Sequence, residues 1–138
     1  MVSVLNNRPK SVWQIFLNNT IKYPNNIAIV DNNKKITYRE LYNFIHKKSE
    51  YLIELGLKKG DRACVLFENS WPLIICFLAG LKEGVVIVPL NPKSTFIENE
   101  RIINNCSAKA VFFDKNLEVN LPSFKSLKSI QYFKYFNE

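Results

Sequence analysis

Short continuous apolar runs alternate along the chain with longer mixed stretches, and the polar residues at the starts of the mixed stretches are unusually well marked. Ser11 with Gln14, Thr37 with Glu40 and Thr95 with Glu98 each have the spacing of a capping box. In that motif the hydroxyl accepts an early backbone N–H and the third residue on reaches back to the cap. Helices are therefore predicted to start near residues 12, 38 and 96. The first stops at Tyr23, because Pro24 disfavours a helical conformation in the residue before it. The second runs to about Leu55, where Gly56 can adopt the left-handed conformation that closes a helix. A fourth fits Trp71 to Lys82, with Ser70 as N-cap, Pro72 in the tolerant first turn and Gly84 beyond the end.

Between these helices lie runs suited to strands. Ile27 to Val30 and Lys35 to Thr37, separated by Asp31, Asn32 and Asn33, read as a hairpin. Ala63 to Phe67, Val85 to Val88 and Ala110 to Phe113 are continuous apolar runs of the kind buried on both faces of a parallel sheet. Strand, helix, strand, helix, strand over residues 62 to 114 is a right-handed, doubly wound βαβαβ pattern, so the fold class is α/β. After Asp114 the pattern fades. The tail, 115–138, carries Phe124, Leu127, Ile130, Tyr132, Phe133 and Phe136 without a clear period. It reads as a further strand, a further helix, or a segment that packs against something outside this chain.

With 138 residues, 16.1 kDa and no Gly/Ser-rich or Pro-rich linker, the chain is one domain or part of a larger one. Hydrophobic residues at 47% and charged residues at 22% imply a packed core and disfavour disorder. The net charge of +7 could attract nucleic acid or an anionic surface, but it is dispersed in pairs such as Lys34-Lys35, Lys47-Lys48 and Lys58-Lys59. No like-charge block marks a nucleic-acid arm, so nucleic acid is not the expected partner. The apolar run Trp71 to Leu81 is eleven residues long, short of the roughly 20 that span a bilayer, and the first ten residues lack the apolar core of a secretory signal. A cytoplasmic protein is the default expectation. Cys64, Cys76 and Cys106 are odd in number and widely spaced among apolar residues, which reads as buried thiols in a reducing compartment. His46, beside Lys47 and Lys48, reads as a solvated helix histidine, and a His/Cys zinc cluster has almost no material.

Self-contained catalysis finds little support in these residues. The four glycines, Gly56, Gly60, Gly80 and Gly84, assemble no phosphate-cradling loop. A Ser/His/Asp or Cys/His triad would have to recruit His46, and Glu98 with Glu100 face different ways on a helix. No catalytic, cofactor-binding or metal-binding residue is assigned.

Several segments, in order, resemble the N-terminal part of the adenylate-forming (AMP-binding) superfamily: acyl-CoA synthetases, nonribosomal peptide synthetase adenylation domains and luciferases. Ile36-Thr37-Tyr38-Arg39-Glu40-Leu41 resembles the family's first core motif. Leu81-Lys82-Glu83-Gly84 followed by Val88-Pro89-Leu90-Asn91-Pro92 resembles the second. Between them Gly56-Leu57-Lys58-Lys59-Gly60-Asp61-Arg62 resembles the family's glycine turn, and Asn69-Ser70 the pair before the next helix. Glu83 departs from the usual Ala and is tolerated if exposed, and Asn91, in place of the Asp of amino-acid-activating domains, leans toward acyl-CoA synthetases.

The resemblance covers about residues 10–114 and implies a β-hairpin plus the doubly wound sheet that opens the large domain of such an enzyme. The whole chain, 1–138, would be an incomplete N-terminal subdomain. Members activate a carboxylate with ATP and magnesium, then pass the acyl group to CoA or a carrier-protein thiol. By resemblance the residues that do this lie beyond the matched region, so Thr37, Tyr38, Glu40, Leu41, Gly60, Asp61, Lys82, Gly84, Pro89 and Asn91 are expected to be structural. The chain is then a fragment or split half whose partner is the remainder of the ligase, inactive alone. The alternatives are a piece of a peptide-synthetase adenylation domain, a stand-alone binding module on the same fold, and a basic nucleic-acid binder. Exposed sheet edges also predict self-association into a homo-oligomer.

Overall fold

The computed structural model describes residues 11–114, 117, 123, 127 and 132–135, and falls into two compact units, Met1–Phe44 and Ile45–Glu138. The first holds helix α1 (Val12–Lys22), the hairpin β1 (Ile27–Asp31) and β2 (Lys34–Thr37), and the opening of α2 (Tyr38–Glu54). Ser11 Oγ accepts the Gln14 N–H at 3.1 Å, and the chain leaves α1 at Tyr23, ahead of Pro24. The hairpin closes on Asp31 opposite Lys34, a tighter turn than the three residues expected, with Asn32 taking the positive φ of 51°. Asn tolerates that left-handed backbone better than most residues with a side chain. Rings pack the helices together: Trp13 lies 5.5 Å from Phe16 and 6.4 Å from Tyr42, and Phe16 lies 6.1 Å from Tyr38.

In the second unit β3 (Arg62–Leu66), α3 (Trp71–Glu83), β4 (Val86–Leu90), α4 (Phe96–Cys106) and β5 (Ala110–Phe113) alternate as the sequence predicts. A fourth strand, β6 (Tyr132–Tyr135), lies parallel to β5, which settles part of the tail as a strand. Phe124, Ile130 and Phe136 lie outside the described residues. The sheet is parallel throughout, in the order β4-β3-β5-β6. Because β3 to β4 and β4 to β5 cross in opposite directions, right-handed crossovers place α3 and α4 on opposite faces.

The pleat sorts the core accordingly. Cys64, Leu66, Leu90, Val111 and Phe113 turn to one face and cluster with Ile103 of α4 and with Leu127. Ala63, Val65, Ala110 and Phe112 alternate with them and are as deeply buried on the other face. There Gly80 of α3 meets β4 so closely that a Cβ would run into the Ile87 side chain and sit 2.7 Å from the Val85 carbonyl oxygen. This contact explains a glycine inside a helix, where it otherwise costs about 1 kcal/mol against alanine.

The strand that carries Pro89 is longer than expected: Pro89 lies within β4 rather than ending it. The ladder shows why that is allowed. Val86 N–H donates to the Asp61 carbonyl at 2.8 Å, so Val86, Val88 and Leu90 turn their backbone groups toward β3, while Ile87 and Pro89 turn theirs outward. Proline, which has no N–H, therefore occupies a position where no partner strand needs one.

Candidate functional site

Each motif residue can be followed to its place. Thr37 and Glu40 close both halves of a capping box: Glu40 N–H donates to Thr37 Oγ1 at 3.3 Å, and Thr37 N–H to Glu40 Oε2 at 2.8 Å. The backbone bond from Thr37, and then the hydroxyl bond from it, hold the Glu40 carboxyl below its ordinary pKa. Tyr38 and Arg39 donate their backbone N–H groups to the carbonyls of Asn26 and Pro24, each at 3.0 Å, and Leu41 is buried. Every one of these interactions positions the start of α2.

Gly60, Asp61 and Arg62 stand at the amino end of the parallel sheet and tie together the segments that lead into β3, β4 and β5. Gly60 N–H donates to the Gly84 carbonyl at 2.8 Å. Asp61 Oδ2 accepts the Lys58 N–H at 2.8 Å, and Oδ1 pairs with Lys109 Nζ at 2.7 Å. The Lys109 bond, then that N–H, hold the Asp61 carboxyl below the usual range. Arg62 Nε donates to the Cys106 carbonyl at 2.6 Å and Nη1 to Gly60 at 2.9 Å. Ligands of open α/β sheets bind outside the carboxyl ends of the strands, so this amino-terminal knot is placed to hold the sheet together rather than to meet substrate.

At the end of α3, Lys82 Nζ donates to the buried Ser49 Oγ at 2.9 Å and pairs with Glu83. The sequence makes exposure the condition for tolerating Glu83, but its side chain is only 20% exposed, and its charge is met instead by pairing with Lys82. Gly84 closes the helix at φ 74°, and a Cβ there would sit 2.7 Å from Lys59 Cγ, too close to be accommodated. Ser70 occupies the N-cap, but its hydroxyl donates to the Glu68 carbonyl at 3.0 Å and makes no cap bond.

The carboxyl end is where a ligand would be sought. After β3 the chain offers Phe67-Glu68-Asn69-Ser70, which has no glycine and carries a negative charge, the opposite of a phosphate cradle. After β4, Asn91 Oδ1 accepts the Lys93 N–H at 2.9 Å and its carbonyl accepts Asn99 Nδ2 at 3.2 Å. An Asp at this position could accept the same N–H, so Asn91 does not separate acyl-activating from amino-acid-activating chains. Asn99 was invisible to sequence reasoning. It is buried in α4, and its Oδ1 has no hydrogen-bond partner among the described residues. His46 is half-exposed, with Nε2 3.4 Å from Glu50, and no cluster of three metal-ligating side chains occurs among the described residues.

The most prominent surface feature is apolar. Ile74, Phe77, Leu78 and Leu81 form an i, i+3, i+4, i+7 stripe on α3, with Ile74 41% and Leu81 49% exposed. It borders a groove of about 310 Å³ lined by Phe77, Gly80, Leu81, Gly84, Val86 and Ile87.

Comparison with known proteins gives this arrangement a family. The family model described as AMP-binding enzyme matches residues 16–133. The chain belongs to the AMP-binding, adenylate-forming family. It is 36% identical over 109 residues to nonribosomal peptide synthetase sidE of Aspergillus fumigatus, covering 78% of this chain and 5% of that protein. With gramicidin S synthase 1 of Brevibacillus brevis it shares 32% identity over 110 residues, covering 80% of this chain and 10% of that protein. The crystal structure of coronafacic acid ligase from Pectobacterium brasiliense superposes with a TM-score of 0.84 at 25% identity, covering 90% of this chain and 25% of that one. The chain therefore spans a small part of each relative, and the relatives include both peptide synthetases and an acid ligase. Among the described residues no helix is long and apolar enough to cross a membrane.

Proposed function

We propose that this chain is an incomplete N-terminal subdomain of an ATP-dependent carboxylate-activating ligase, a scaffold that needs the remainder of the enzyme, in cis or as a second chain, to form an acyl-adenylate. The observation that carries the reading is α3, apolar on the face that meets the sheet and on the opposite face as well. A helix that is hydrophobic all round belongs in the interior of a larger protein. The motif residues act as caps, turns and strand-end ties, which supports a scaffolding role over substrate contact. ATP, magnesium and the thiol acceptor would be held by the complementing part. The peptide-synthetase relatives favour an amino acid as the carboxylate over a fatty acid.

A chimera tests the role. The 110 residues matched in gramicidin S synthase 1 are replaced by those of this chain, and ATP–pyrophosphate exchange is measured on a chimera shown to be folded by its thermal melt. Retained exchange with unchanged substrate choice is expected, because a scaffold contributes neither nucleotide contacts nor specificity. A folded chimera whose substrate choice has changed would place specificity in this chain and overturn the reading.

A further inference from the structure

The second unit contains a feature with no part in the scaffold just described. Cys64 lies in the middle of β3 and Cys106 is the last residue of α4, and although 42 positions apart in sequence they bring their sulfurs to 3.9 Å. Cys64 is fully buried, whereas Cys106 is partly open to solvent and also rests 3.5 Å from the Ile103 carbonyl. A disulfide needs the sulfurs at about 2.05 Å, so a closure of less than 2 Å separates contact from bond. That closure falls at a helix end, where Ser107 already turns the chain at a left-handed φ of 49°. Arg62 holds the Cys106 and Ser107 carbonyls from the start of β3, so the two backbones are kept in register while the Cys106 side chain moves.

We infer that Cys64 and Cys106 are a redox modification site, a thiol pair that hydrogen peroxide converts to an intramolecular disulfide clamping α4 to the central strand. The half-exposed Cys106 meets the oxidant first. Its sulfur attacks the peroxide, an S–O bond forms as the O–O bond breaks, and water leaves, giving a sulfenic acid. The Cys64 sulfur then attacks Cys106, the S–O bond breaks, and the hydroxyl departs as a second water with the Cys64 proton. Two electrons pass from two thiols to one peroxide. Burial, helped by the neighbouring Cys106, raises the Cys64 thiol pKa, which makes Cys64 the resolving partner rather than the first to react. Cys76 is a bystander: it is buried, and that burial pushes its thiol up to about 12.

The test uses the full chain, reduced, freed of reductant and exposed to hydrogen peroxide. Intact mass should fall by about 2 Da with no covalently joined dimer formed. After alkylation in denaturant and digestion at Lys, Arg and Glu, peptide 63–68 should be joined to peptide 102–109, with Cys76 alkylated. The thermal midpoint should rise by several degrees on oxidation and return with reductant. Cys106→Ser should abolish the joined peptide while leaving the melt of the untreated chain nearly unchanged. Mass gains of about 16 or 32 Da on Cys106 with Cys64 still alkylatable, or joining only between chains, would overturn the proposal.

Discussion

Two residues show how local geometry decides what a position tolerates. At Gly80 the gain of a methyl group is a loss. Alanine would recover about 1 kcal/mol of helix propensity, but wedging a Cβ against Ile87 and the Val85 carbonyl costs about 1–3 kcal/mol. Gly80→Ala should therefore lower the urea midpoint, and combining it with Ile87→Ala should cost less than the sum of the two, since they share one contact. Additive losses would show that the helix and strand do not press together there. Asp61 makes a pH-dependent contribution. Its pKa is depressed in the folded chain, so its stabilisation is complete above the unfolded carboxylate value near 3.9 and is lost as pH falls through the folded value. Asp61→Asn should thus be clearly less stable than the parent at pH 7, and the two melting curves should converge once the pH has fallen through the depressed folded value of Asp61. A gap that persists in acid would mean that the Lys109 pair is not its source. The cysteines carry the same lesson about place: read along the chain they are three separate thiols, and only the fold brings two of them into contact.

At the scale of elements, Pro89 and the α3 stripe pull in opposite directions. The outer edge of β4 is guarded by a proline at an outward-facing position, which leaves Ile87 as the single outward-facing N–H donor within Val86–Leu90 available to a newcomer. Pro89→Val should restore a donor and increase self-association, read as a concentration-dependent rise in mass by light scattering; a chain that stays as it was would assign the edge's protection elsewhere. The stripe is instead unguarded. Leu81→Glu, at a half-exposed position, should change stability by no more than about 0.5 kcal/mol and yet abolish association with the complementing part of a ligase. Unchanged association would move the contact to another face. These elements also mark what was legible in the sequence. The capping pairs at Thr37 and Thr95 gave the helix starts, because the signal is local and complete within four residues. The βαβαβ order followed from apolar runs buried on both faces. The extension of β4 through Pro89 was not legible, since a proline is admitted there by the strand's edge position, a property of the assembled sheet. The strand at Tyr132–Tyr135 is one of three readings the sequence leaves open for the tail, because its residues carry no period of their own and only the pairing with β5 selects the strand. Glu83 escaped for a similar reason: its partner Lys82 is adjacent, but the burial that makes the pair matter comes from the fold.

For the whole molecule, family and activity separate. The matched residues place the chain in the adenylate-forming family over most of its length, yet it spans a quarter or less of the relatives described. What it contributes on its own is a parallel sheet with a tied amino end, and an apolar helix face of the sort that a larger protein covers. The most direct measurement is ATP–pyrophosphate exchange over a panel of amino, aryl and fatty acids, run on the purified chain and on the complex it forms in lysate of its source. Silence from the chain alone with carboxylate-dependent exchange in the complex is the predicted result. Carboxylate-dependent exchange by the chain alone would contradict the account, because it would require a nucleotide site within these 138 residues.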